Sequence, residues 1–159
     1  LSVDNVGKRF EYERYLANWD EVNKNVRKFE ALKQSTNNID LQLCFTVNIL
    51  NVLYLDELLD WARDIEFDSL HWNMLHGPYE MSIACLPEYA KEKVIEVLSN
   101  KTFEQKHQGE VANIISMIRN GTSTNRDQLI KKLSVTDKYR KEHLSQTHPE
   151  LAKILKYGN

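Results

Sequence analysis

The 159-residue chain holds only two cysteines, three prolines and five glycines, and each scarcity excludes something. Cys44 and Cys85 are too few for the three or four thiolates that an iron–sulfur cluster or a structural zinc site requires. Both lie inside apolar stretches, "LQLCFTV" and "MSIACLP", as buried free thiols do in a reducing compartment. The glycines do not cluster, so no phosphate-cradling loop is present, and neither is a "GxSxG" elbow or a Cys–His pair with an orienting group. No apolar run approaches the roughly 18 residues of a membrane span, and no basic start followed by an apolar stretch marks a signal peptide. Charge of one sign is missing as well. The net charge is -2, with Lys and Arg scattered among Asp and Glu, which leaves no electrostatic footprint for nucleic acid or an anionic membrane. These absences lead to the expectation of a soluble, cytoplasmic, globular protein.

What the chain does have is 42% hydrophobic residues, enough for one buried core. Trp19, Val22, Val26, Phe29 and Leu32 recur at helical spacing, and Asn18 followed by Glu21 has the form of a capping box. "LQLCFTVN" reads as a strand buried on both faces, "YLDELLDWARDI" as a helix with Leu55, Leu58, Leu59, Ala62 and Ile65 on one side, and "DSLHWNML" as another strand. Counting the opening residues Leu1 to Val6 as a strand, the order is strand, helix, strand, helix, strand, for which βαβ crossovers and a parallel sheet are the natural solution. "GPYEMSIACLP" offers one more strand, ended by Pro87, which also suits the first turn of a helix from Glu88 to Ser99. Beyond Lys101 the pattern turns helical. Val111, Ile114, Ile115 and Ile118 precede a capping Gly121, helices are expected over 127–133 and around 137–144, and Pro149 leads a last one. The expected fold is α/β, residues 1–100 forming a partial (β/α) barrel of parallel strands and residues 101–159 a helical tail.

Candidate site residues follow from the strand ends, where ligands of parallel sheets gather. Ser2 and Asp4 share a face by period two, and Arg14 lies in the loop leading to the first helix; a hydroxyl and a guanidinium brought together there suit a carboxylate. The alternative is that Asp4 caps the turn and Arg14 is a surface residue. Thr46, Asn48 and Asn51 stand at or beyond the end of the next strand, where they either read a ribose or adenine or cap the following helix. His71 and His76 have no metal-ligand spacing, and His107, His143 and His148 are read as solvent-facing or locally satisfied.

The stretches "SVDNVGKRFEYERYLANWDEVNKNVRKFEAL", "FTVNILNVLYLDELLDWA" and "HWNMLHGPYEMSIACLP" together resemble the C-terminal half of a radical S-adenosylmethionine domain of the group with a twitch-type extension. The tail "TDKYRKEHLSQTHPEL" resembles the closing segment of such proteins. The resemblance implies that Ser2 and Arg14 hold the carboxylate of S-adenosylmethionine, that Asp4 lies close to the cofactor or substrate, and that Thr46 and Asn48 approach the ribose or substrate. Asn5 stands where the family has Gly, a change that Asn tolerates because it accepts left-handed backbone angles. The family's CxxxCxxC motif, whose thiolates carry the [4Fe-4S] cluster, has no counterpart. The expectation is therefore a fragment of a radical enzyme, inert alone, whose intact parent uses S-adenosylmethionine and the cluster.

The alternative is a non-catalytic α/β module that oligomerises or binds a partner. A cut parallel sheet exposes unpaired backbone along one edge, so homo-oligomerisation through Leu1 to Asn5 is expected in that case. A third reading leaves the motif matches accidental in an unrelated helical α/β domain.

Overall fold

The computed structural model describes residues 1–36, 38–123 and 126–158. The described residues form eight α-helices and one small parallel sheet: α1 (Gly7–Glu13), α2 (Trp19–Ser35), β1 (Gln42–Val47), α3 (Leu55–Asp64), β2 (Ser69–Met74), α4 (Glu88–Asn100), α5 (Gln108–Asn120), α6 (Arg126–Arg140), α7 (Leu144–Thr147) and α8 (Pro149–Leu155). β1 and β2 run parallel in register from Gln42 opposite Ser69 to Val47 opposite Met74, joined through α3 as the strand–helix–strand pattern predicts.

The barrel expectation is overturned. The chain is 63% helical, and its sheet has only two strands among the described residues. Two local reasons account for this. The opening segment makes a single bridge, Ser2 to Cys44, because the rung that would follow is taken over by a side chain: Asp4 Oδ1 accepts the Thr46 backbone N–H at 2.8 Å. "YEMSIAC" forms two short 3-10 turns, Tyr79–Met81 and Ile83–Cys85, instead of a strand. Ser82, whose side chain accepts from the Ala84 N–H, starts the second of them.

β1 is also not buried on both faces. Leu43, Phe45 and Val47 have no exposed surface, whereas Cys44 and Thr46 are half-buried and Gln42 is exposed. Leu70, Trp72 and Met74 of β2 pack against the same core, and Phe45 meets Trp72 at a centroid distance of 4.7 Å. Each fully buried side chain of this size contributes roughly 1.5–3 kcal/mol. On the other face Gln42, Cys44, Thr46, Ser69, His71 and Asn73 line up in register. They are knitted by Asn73 Nδ2 donating to Cys44 Sγ at 2.9 Å and by contacts of His71 Nε2 with Gln42 at 3.3 Å and Ser69 at 3.4 Å.

The helices form for the expected reasons. Asn18 Oδ1 accepts the Glu21 N–H at 3.0 Å at the start of α2. Trp19 contacts Phe10 of α1 and Trp61 of α3, each at 5.3 Å, which ties the first three helices together. Helix α5 ends at Gly121, needed here for space: a Cβ would lie 2.0 Å from the Ala84 carbonyl oxygen. Leu129, Leu133, Leu144, Leu151 and Leu155 of the tail join the same core as the sheet. The two helices expected over 127–133 and 137–144 are one continuous α6 and the separate short α7.

Candidate functional site

The residues at the C-terminal end of β1 make one connected polar cluster. Helix α1, which the sequence reading took for a loop, brings two of them there. Its short sequence GKRFEYE has no side-chain cap, and Gly7, at φ 60°, turns the chain into it. The left-handed residue is thus Gly7, and Asn5 acts through its side chain. Asn5 Oδ1 accepts from the Val6 N–H at 3.0 Å and from Arg9 Nε at 3.3 Å, while Nδ2 donates to Glu13 Oε1 at 2.8 Å.

Asp4 is buried and engaged on every side. Besides the Thr46 N–H, its carboxylate accepts from Arg14 Nη2 at 2.5 Å, and its backbone carbonyl accepts from Asn51 Nδ2 at 2.9 Å. Asn51 is 1% exposed and also donates to the Thr46 carbonyl at 2.8 Å, so one amide clamps the opening segment to the end of β1. Its Oδ1 accepts the Asn48 N–H. Asn48 caps the turn by accepting the Leu50 N–H at 2.7 Å, and its Nδ2 donates to Glu13 Oε2 at 3.1 Å. Their side-chain oxygens serve the local turn and their amide nitrogens reach distant residues, so neither asparagine caps the following helix.

Of the six strand-end residues named from sequence, Asp4, Arg14, Thr46, Asn48 and Asn51 come together here. Thr46 holds Asp4 by its backbone, while its half-buried position belongs to the polar sheet face. Ser2 is exposed and lies one bridge earlier, beside Cys44. The Arg14 side chain keeps 49% of its surface, against 10% for that of Asp4, so the guanidinium has further N–H groups to offer a second carboxylate.

Glu13 was missed. It keeps some solvent-accessible surface, but protein atoms enclose its carboxyl, and desolvation pushes it up to about 7. The Asn48 and Asn5 amides oppose that shift, Asp4 adds to it, and Arg14 opposes it more weakly. Its signal was its place three residues after the buried Phe10, a carboxylate on the inner side of a short helix.

A second buried cluster ties α1 to the tail. Asp137 Oδ1 accepts from the Tyr12 hydroxyl at 2.8 Å, and Oδ2 accepts from the Tyr157 hydroxyl at 2.6 Å and the Leu144 N–H at 2.8 Å. Arg140 Nη1 donates to the Tyr12 carbonyl at 2.7 Å. Burial, with Asp137 alongside, raises the Tyr12 hydroxyl well above its ordinary value and pushes Tyr157 up to about 12. His148 is fully buried, with its ring against the edges of Tyr12 and Tyr54, and burial lowers it to about 3 with help from Arg9. Of the three histidines read as solvent-facing or locally satisfied, His143 is exposed, His148 is buried with a local partner in Thr147 Oγ1 at 2.8 Å, and His107 is buried with its ring against Trp72.

The donor set fits one implied cofactor and not the other. Arg14 beside a fixed Asp4 suits the carboxylate of S-adenosylmethionine. A [4Fe-4S] cluster does not fit these residues: the free thiols are Cys44 on β1 and the buried Cys85. Among the described residues no group of three or more His, Cys, Asp or Glu is placed to hold a metal ion. Nor is any described helix long and apolar enough to cross a membrane. No protein-family model, no curated protein and no solved structure matches the chain.

Proposed function

We propose that this chain supplies part of the S-adenosylmethionine-binding wall of a radical enzyme whose cluster thiolates lie outside these residues. The observation that carries the reading is the Asp4–Arg14 pair at the C-terminal end of β1, with the guanidinium half-exposed beside an uncovered polar sheet face. In this reading Arg14 takes the cofactor's carboxylate and Ser2 donates one further hydrogen bond. Thr46 faces the ribose or substrate, and Asp4 and Asn48 keep the others in place. The resemblance of the sequence motifs is its second support. The polar face is its third, because parallel sheets are ordinarily covered on both sides, and a row of hydrogen-bonding side chains left open suits a polar ligand. The bound cofactor with its cluster would supply the radical; this chain alone binds and orients. Two free thiols suit a cytoplasmic, reducing setting.

Isothermal titration of S-adenosylmethionine into the purified chain tests this. Weak binding is expected, reduced about tenfold or more in Arg14→Ala by loss of a charge-assisted contact. No binding, or binding indifferent to Arg14, overturns the reading.

One observation favours a second reading, a non-catalytic module that pairs with a second copy of itself. Leu1 and Val3 hydrogen-bond β1 on one side only, through Cys44 N–H to the Leu1 carbonyl at 2.8 Å and Val3 N–H to the Cys44 carbonyl at 3.2 Å. Val3, Asp4 and Asn5 are buried, so the part of this edge able to accept a strand is the exposed start, Leu1 and Ser2. Light scattering at rising protein concentration tests it: a dimer supports pairing, and a monomer throughout removes it.

A further inference from the structure

We infer that the cavity between α3 and residues 102–107 binds a small uncharged aromatic ring whose edge carries an amide-like N–H donor, received by His107. The cavity measures about 170 Å³, on the order of the space that holds one six-membered ring. None of its lining residues belongs to the strand-end cluster, so the inference stands apart from the enzyme-wall reading.

His107 is the observation that points to a ligand. It lines the cavity and is only 7% exposed. Its ring packs against Trp72 at a centroid distance of 5.7 Å, and among the described residues no hydrogen bond reaches either ring nitrogen. Buried polar groups are nearly always paired, so such an exception calls for a partner. Burial lowers the basicity of the ring, Lys106 adds to that and Glu104 opposes it, so the imidazole is neutral at pH 7 and offers one lone pair. What it lacks is a donor.

The walls decide what kind of molecule brings that donor. Every charged side chain around the cavity already has its counter-charge: Asp56 holds Lys101 at 2.7 Å, Asp60 holds Arg63 at 2.7 Å, and Glu104 holds Arg63 at 3.2 Å and Lys106 at 3.0 Å. A charged ligand would give up its hydration without finding a free partner, which favours an uncharged one. Leu59 and the half-buried Phe103 supply apolar wall for a ring. Arg63 spends one N–H on Asp60 and one on Glu104, and its others can donate to a carbonyl or ring nitrogen beside the ligand's own N–H.

The test titrates three probes of one size into the wild-type chain: benzamide, acetophenone, which keeps the ring and carbonyl but has no N–H, and the cationic benzamidinium. Affinities are read by calorimetry, and the His107 ring by nitrogen-15 NMR of histidine-labelled protein, its signal identified by its loss in His107→Phe. Benzamide is expected to bind about tenfold or more tighter than either other probe, because only it gives His107 a donor without bringing a charge. It should also move the unprotonated ring nitrogen of His107 saturably. His107→Phe should bring benzamide level with acetophenone. The probe comparison is made in the wild-type chain, so it holds even if the variant fails to fold. No binding of benzamide up to its solubility limit, equal affinity for benzamide and acetophenone, or tighter binding of benzamidinium overturns the assignment.

Discussion

Asp4 and Asp137 are both buried aspartates that hold a chain segment in place by accepting a backbone N–H, Thr46 for one and Leu144 for the other. Their surroundings differ in one respect. Asp137 is filled by two tyrosine hydroxyls, neutral donors that end the network inside the protein. Asp4 is filled by a half-exposed guanidinium and has a second carboxyl, Glu13, close by. The titratable neighbours record the contrast: burial holds His148 neutral by lowering it, and holds Glu13 partly neutral by raising it. A closed polar network is how a fold locks a tail onto its core. A network that runs from a desolvated carboxyl and a buried aspartate to a half-exposed guanidinium carries a cost that a purely structural network would avoid, and such sites are functional candidates.

The largest effect that would break this contrast is at Asp137. Asp137→Ala leaves the Tyr12 and Tyr157 hydroxyls and the Leu144 N–H without their acceptor, and should cost about 3–5 kcal/mol in urea unfolding. A loss well under 1 kcal/mol would mean that the tail is not locked there.

The next effect is a pair of opposite pH dependences. His148 has its folded value, about 3, below the ordinary 6.5. Its contribution is therefore present above pH 6.5 and lost as pH falls toward 3. Glu13 has its folded value, about 7, above the ordinary 4.5. Its contribution is present below pH 4.5 and lost as pH rises through 7. Between pH 4.5 and 6.5 the two slopes oppose each other. Relative to wild type, His148→Gln should gain stability on acidification, on the order of 3–4 kcal/mol over the whole range. Glu13→Gln should gain on going alkaline, on the order of 1–2 kcal/mol after allowance for its partial exposure. Denaturant midpoints measured across pH check both signs; parallel curves for the two variants would erase the distinction between the clusters.

Much of this architecture was legible in the sequence where a local signal and a tertiary role coincide. Asn18 caps α2, Pro87 and Pro149 lead α4 and α8, Gly121 ends α5, and β1 and β2 fall where their apolar runs are. The errors occur where a residue serves a distant element. Asp137 looked like the start of a helix; it lies within α6 and caps the following α7 from there. Ile83, Cys85 and Leu86 looked like strand because they are apolar, but tertiary burial, not strand pairing, is what they provide. Asp4 ended the strand it was expected to continue. At the candidate site, the sequence brought Arg14 together with the Ser2 hydroxyl, whereas the structure pairs it with Asp4. Glu13, three residues after Phe10, was passed over because its segment reads as a loop, and its partners Asn5 and Asn48 both lie outside α1.

Tyr12 and Glu13 are consecutive residues of one two-turn helix, and each commits its side chain to a different cluster. Neighbouring positions on a helix point about 100° apart, so α1 sets the angle between the tail lock and the strand-end site. A substitution at either position damages one cluster and spares the other. A single-residue insertion or deletion within α1 would turn the following residues by that same angle, carrying both side chains away from their partners at once. Across natural variants of this chain, changes of residue should therefore be tolerated in α1 far more readily than changes of length.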